Sequence, residues 1–197
     1  MLLYICMIYT QKIQHAIRFA IKTHEGYQKQ KRKGKDVPYI THPLAVGLIL
    51  TTAGAPEDVI IAGILHDTIE DSIEEKKPLM PQLIEERFGK EVLNLVMSVT
   101  EQDKNLSWDE RKAEALKHVK TFSNDSLLLK SADIISNVSE TLVDYTKEGE
   151  EIFERFHAPK EKIIESHINM INAILNKWPL SPLADDLKDI LGKVKLL

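Results

Sequence analysis

Cysteine is almost missing from this 197-residue chain: Cys6 stands alone. That excludes an internal disulfide framework and a thiolate metal cluster, so any bound metal would be held by nitrogen and oxygen, and a reducing, cytoplasmic setting is expected. Long apolar runs are missing too. Residues 1–9, MLLYICMIY, have no basic start, no small-residue cleavage site and too little length to span a bilayer. They read as the lead-in to a first helix, with Met7 an alternative start, and no membrane partner is expected. A strong excess of positive charge is also lacking. The net charge of −4 argues against a sequence-independent nucleic-acid binder, which needs a basic face. Finally, no run alternates apolar and polar residues between turn signals, so no significant sheet is expected.

What is present is helical. Apolar residues make up 43% and charged residues 28%, a globular composition. Ile13, Ala16, Ile17, Ala20 and Ile21 form one apolar stripe, and His24 falls on its next step, which points it inward. Segment 26–38, with Gly26, Gly34 and Pro38, reads as a loop in which residues 29–35, KQKRKGK, carry five basic side chains. A helix is expected from Pro43 to Gly54, and another after Pro56 that runs VIIAGILHDTIED. Gln82–Phe88 and Glu91–Val99 read as two short helices split by Gly89. Further helical patterns cover Trp108–Val119, Ser126–Tyr145, Glu150–Phe156 and Lys160–Trp178, with a small one after Ser181-Pro182. Met97, Phe88, Phe153 and Phe156 read as core. The expected fold is an all-α bundle of roughly eight to ten helices in one domain spanning 1–197.

The sharpest local feature is HDTIED, His66 to Asp71. On a helix, His66 would share a side with Glu70, and Asp67 with Glu70 and Asp71. Acids so close repel one another unless a cation or hydrogen-bond donors compensate. A solvated acidic helix end and a metal site both fit this segment. Val59–Leu65 just before it is apolar enough to be buried, which sets the motif at the edge of the core. Downstream, LLLKSADIISN puts Asp133 in an apolar helical setting with Asn137 one turn on. Asp133 reads either as the wet side of an amphipathic helix or as a ligand, and His24 either as a satisfied core histidine or as a ligand. Taken together, His24, His66, Asp67 and Asp133 would make a borderline-to-hard site suited to Mn²⁺ and less obviously to Mg²⁺.

His24, QKRKG at 30–34, PYITHP at 38–43, HDTIED at 66–71, WDERK at 108–112 and SADIISN at 131–137 occur in that order. Together they resemble the HD hydrolase domain of the RelA/SpoT alarmone enzymes, especially the stand-alone small alarmone hydrolases, over roughly residues 10–175. The resemblance implies the HD-type all-α fold and one Mn²⁺ held by His24, His66, Asp67 and Asp133. It implies Glu70 and Asp71 as the pair that activates the attacking water, and Arg32, Lys33 and Asn137 as contacts to the nucleotide. The implied reaction releases pyrophosphate from the ribose 3′ position of ppGpp or pppGpp, leaving GDP or GTP. The expected partner is therefore a small nucleotide, with a homo-oligomer or functional pairing with an alarmone synthetase as further options.

The chain departs from the family pattern in two places. Tyr27–Lys29 lengthen the segment after His24, and Ile134, Ile135 and Ser136 replace a basic residue followed by Leu-His or Leu-Tyr. These changes fall around the nucleotide rather than on the four expected ligands. They motivate a second reading, an HD phosphohydrolase for another nucleotide such as NADPH at its 2′-phosphate or a nucleoside monophosphate. A third reading is a nucleotide sensor without turnover. For Lys112 a phosphate contact and a solvated helix face are both open, and Trp108 reads as packing.

Overall fold

The structure, a computed structural model, describes residues 9–70, 72, 76–101 and 106–197. Cys6, Met7 and Asp71 lie outside the described residues. Among those described, nine α-helices and no strand are present: α1 Gln11–Ile21, α2 Thr41–Thr52, α3 Glu57–Leu65, α4 Met80–Phe88, α5 Lys90–Val99, α6 Trp108–Val119, α7 Asn124–Glu148, α8 Lys160–Lys177 and α9 Ala184–Val194. No described helix is long and apolar enough to cross a membrane.

Local chemistry sets several of these boundaries. Thr10 caps α1 by accepting from the Ile13 N–H, and Ser123 caps α7 by accepting from the Ser126 N–H. At the start of α6, Ser107 and Glu110 exchange side-chain and backbone bonds in a capping box. Gly89, at φ 95°, separates α4 from α5 as the sequence suggested.

α3 is the centre of the bundle. Every residue from Val59 to Leu65 is buried, and α1, α2, α5 and α7 all pack against it. The α2–α3 contact is close because both helices present glycine there. A Cβ on Gly63 would lie 2.4 Å from Leu50 Cδ1, and one on Gly47 would lie 2.8 Å from Ile64 Cγ1. α7, at 25 residues the longest helix, runs along α2, α3, α8 and α9. A second, smaller apolar cluster of Ile152, Phe153 and Ile163, flanked by Trp108, Tyr145 and Phe156, lies where the 3₁₀ segment Gly149–Arg155 meets α7 and α8.

Two segments differ from the sequence reading. The chain after α1 is not a loop from residue 26: it continues as a π-helical segment, Lys22–Gln28, which ends at Lys29 in the left-handed region, φ 48°. The lengthening residues Tyr27–Lys29 are thus absorbed into this extension and its cap, and the loop proper is confined to residues 29–40. HDTIED, conversely, is not helical throughout. α3 stops at Leu65 because the Thr68 N–H and hydroxyl both turn back to the Leu65 carbonyl, at 2.9 and 2.6 Å, replacing the next i→i−4 bond with a tight turn.

Candidate metal centre and adjoining cavities

Two helices and one turn deliver four side chains to a single point. His42 comes from the first turn of α2, His66 and Asp67 from the turn that ends α3, and Asp133 from the middle of α7. His42, His66 and Asp133 each offer a ligand atom within 4.8 Å of the others, a group that could hold a metal ion. His42 Nε2 lies 3.3 Å from both His66 Nε2 and Asp133 Oδ1, and His66 Nε2 lies 3.8 Å from Asp133 Oδ1. Asp67 joins them, with Oδ2 at 3.1 Å from His66 Nε2 and 3.6 Å from His42 Nε2.

The partners behind these atoms explain their aim. His66 Nδ1 meets the Gly63 carbonyl at 2.8 Å. A carbonyl only accepts, so Nδ1 carries the proton and Nε2 is turned to the cluster. His42 Nδ1 lies 2.9 Å from the Ser136 hydroxyl, so one of the residues that departs from the family pattern supports an imidazole of the cluster. Asp133 is held on both oxygens: Asn137 Nδ2 donates to Oδ1 at 2.7 Å and Lys130 Nζ to Oδ2 at 2.8 Å. The Tyr39 hydroxyl donates to Asp67 Oδ2 at 2.7 Å.

Electrostatics match this geometry. Burial works against an imidazolium at His66, but the adjacent Asp67 and nearby Asp133 outweigh it and raise the pKa to about 9. Burial likewise disfavours ionised Asp133, yet Lys130 and the two imidazoles hold it well below the usual carboxylate range. Asp67 is lowered in the same way, chiefly by His66 once burial is overcome. The donors thus carry two negative charges at close range. Two imidazole nitrogens and two carboxylates make a set that fits a borderline-to-hard divalent cation, which would take the place of the His66 proton.

The remaining expected residues fall into distinct places. His24, fully buried, is not in the cluster: its Nδ1 meets Gln30 Oε1 at 3.1 Å and its ring packs on Tyr39 at 5.1 Å. Its inward direction was legible, but the apolar stripe led it into the π-helical segment rather than to the cluster, and His42 occupies the position expected for it. Glu70 lines the cavity beside the cluster, its Oε1 accepting from the Glu101 N–H at 2.5 Å. Arg32 is engaged by α7, donating to Glu140 through Nε at 2.8 Å and to Asn137 Oδ1 at 2.8 Å. Lys33 lies over the Phe156 ring at 5.5 Å, its pKa lowered by burial and by Lys112 and Arg32.

Sequence reasoning gave no role to His42, Tyr39 or Lys130, and set Ser136 by the nucleotide rather than behind a cluster imidazole. For His42 a signal existed: His42, Val46 and Leu50 repeat every fourth residue on α2, and all three are buried.

Two adjoining cavities lie beside the cluster, and the larger one reaches it. The larger, about 550 Å³, runs between α5, α6, α7 and α8, past Glu70, Arg111, Lys112 and Ile134. The smaller, about 320 Å³, lies under the basic loop against the second apolar cluster, with Arg32, Lys33, Trp108 and Phe156 in its wall. Tyr39, Lys112, Asn137, Ser166 and His167 line both. Although His167 keeps part of its surface accessible, burial and then Lys112 press its pKa down to about 4, so it is neutral at pH 7.

A family profile described as an HD domain covers residues 16–164. The chain is 37% identical over 142 residues to the guanosine-3′,5′-bis(diphosphate) 3′-pyrophosphohydrolase MESH1 of Xenopus tropicalis, spanning 70% of this chain and 73% of that protein. It is also 37% identical over 132 residues to an Aquifex aeolicus guanosine-3′,5′-bis(diphosphate) 3′-pyrophosphohydrolase, which covers 66% of this chain but only 18% of that longer protein. The structure of a metazoan ortholog of SpoT that hydrolyses ppGpp superposes with a TM-score of 0.74, covering 96% of this chain and 98% of the other at 24% identity, a likeness of fold. With its paired His66-Asp67, its all-helical frame and these relatives, the chain belongs to the HD domain family, among the hydrolases related to MESH1 and SpoT.

Proposed function

We propose that the chain, working as one catalytic domain in the cytoplasm, hydrolyses ppGpp or pppGpp at the ribose 3′ position, releasing pyrophosphate and leaving GDP or GTP. The observation that carries this is the convergence of His42, His66, Asp67 and Asp133 in the wall of a cation-lined cavity that adjoins a second one under the basic loop, in a chain whose relatives carry that reaction in their names.

These four residues would hold the ion, and we choose Mn²⁺ for the mixed nitrogen and oxygen donors. Once bound, it would supply positive charge against the phosphoryl oxygens and acidify a water molecule. Glu70, anchored on the Glu101 N–H, orients that water and accepts its proton, with Asp71 as its partner. Attack on phosphorus breaks the bond to O3′, and O3′ leaves with a proton. Lys33, Lys112 and Arg111 supply positive charge along the walls for the phosphates. Asn137 and Arg32, bonded to one another, face the nucleoside. An alarmone synthetase is the matching source of substrate.

The test is product analysis with Mn²⁺-loaded protein and ppGpp. GDP and pyrophosphate should form in equal amounts, and His66→Ala or Asp67→Ala should lower kcat by about 10³-fold or more, each 1.4 kcal/mol of lost stabilisation being tenfold. No turnover by folded, metal-loaded protein would sink the proposal. A second reading, another phosphorylated nucleotide, is favoured by one observation: Arg32 is already engaged by Glu140. A side-by-side panel with NADPH and nucleoside monophosphates decides between them, and the higher kcat/KM names the substrate.

A further inference from the structure

Tyr39 touches the cluster, the buried His24 and the basic loop, and has no role in the reaction just described. Its hydroxyl donates to Asp67 Oδ2, the oxygen that faces both cluster imidazoles. Its ring meets His42 edge-on at 5.9 Å and packs against buried His24 at 5.1 Å. On the loop side, the Arg32 guanidinium lies over the ring at 5.4 Å. The backbone at Tyr39 is pinned as well: its N–H donates to the Gln30 carbonyl at 2.9 Å, and its carbonyl accepts from the His42 N–H at 3.0 Å. The half-buried phenol therefore has little freedom, and it passes that restraint to whatever it bonds.

Asp67 needs such a restraint. The terminal torsion of an aspartate is broad, so the chain before it does not by itself decide which oxygen faces the cluster. Asp133 has donors on both oxygens. For Asp67, both donors reach Oδ2, His66 Nε2 at 3.1 Å and the Tyr39 hydroxyl, and the tyrosine is the one that stays when a cation takes the place of the His66 proton. The same ring carries Arg32, which Glu140 and Asn137 hold from the other side. A cation–π contact and a hydrogen bond on one aromatic ring thus link the basic loop to a carboxylate of the cluster.

We infer that Tyr39 is a positioning residue: it orients the Asp67 carboxylate toward the cation and registers the nucleotide-binding loop against the metal centre. This rests on reading the cluster as a metal site. Tyr39→Phe removes the hydroxyl and keeps the ring, whereas Tyr39→Leu removes both. Metal-stripped wild type and both variants would be titrated with Mn²⁺ by calorimetry, and kcat and KM for ppGpp measured at saturating Mn²⁺. Tyr39→Phe should bind Mn²⁺ about 10–100-fold more weakly, with KM for the nucleotide within about twofold of wild type because the seat of Arg32 survives. Tyr39→Leu should lose the same metal affinity and also raise KM. Mn²⁺ affinity within twofold of wild type in folded Tyr39→Phe overturns the inference, as does a KM change in Tyr39→Phe without a metal effect. If wild type itself takes up no Mn²⁺, the metal reading fails instead, and that appears in a separate arm of the titration.

Discussion

Two buried histidines within reach of the same tyrosine carry different duties. His42 faces His66 and Asp133 across 3.3 Å, whereas His24, in the π-helical segment, is bonded to Gln30 beyond its end. Replacing His42 by alanine removes a nitrogen donor, and kcat/KM for ppGpp should fall by about 10²–10³-fold, with Mn²⁺ binding weakened in parallel. His24→Ala should instead leave Mn²⁺ affinity within a few-fold of wild type while lowering stability by on the order of 2 kcal/mol, because it empties a buried, hydrogen-bonded position. Calorimetric Mn²⁺ titration and urea unfolding of both variants separate the two. The opposite pattern would return His24 to the ligand set.

At the scale of the element, the contact of α2 with α3 places the turn that presents His66. Gly63 and Gly192 are both helical glycines with opposite surroundings. A methyl at Gly63 runs into Leu50 and Val46, while one at Gly192 meets nothing within 4 Å. Gly63→Ala should destabilise by about 1–2 kcal/mol, overpacking outweighing the gain in helix propensity. Gly192→Ala should stabilise by about 0.5–1 kcal/mol, since only the propensity changes. Midpoints of urea denaturation check both signs. Much of this frame is legible in the sequence, because helical periodicity and the apolar run Val59–Leu65 depend on spacing alone, and the Asp133–Asn137 turn of α7 follows from the same rule. Other parts depend on bonds that spacing does not record. The end of α3 is decided by Thr68 turning back on Leu65, and the choice of His42 over His24 is decided by a π-helical segment that carries His24 away from the cluster.

For the molecule as a whole, the cluster ties α2 and α7 to the end of α3, so a bound cation acts as a cross-link between distant parts of the chain. Mn²⁺ at 100 times its dissociation constant should stabilise the fold by about 2.7 kcal/mol, which for this size corresponds to a rise in Tm of roughly 5–10 °C, reversed by a chelator. The rise should depend on pH in a definite direction. Without metal, His66 is protonated up to about pH 9 in the folded chain, against about 6.5 when unfolded. Its share of stability is therefore complete below about 6.5 and is lost as pH climbs through 9, while the cation competes with the same proton. The thermal shift produced by Mn²⁺ should grow between those values, as differential scanning fluorimetry in a pH series would show. The two cavities share the wall that includes Tyr39, Asn137 and His167, and on the proposed function this would make the site a gauge of length. A nucleotide with phosphates at opposite ends would reach into both chambers, whereas one phosphorylated at a single end would fill only one and have nothing to register it against the other.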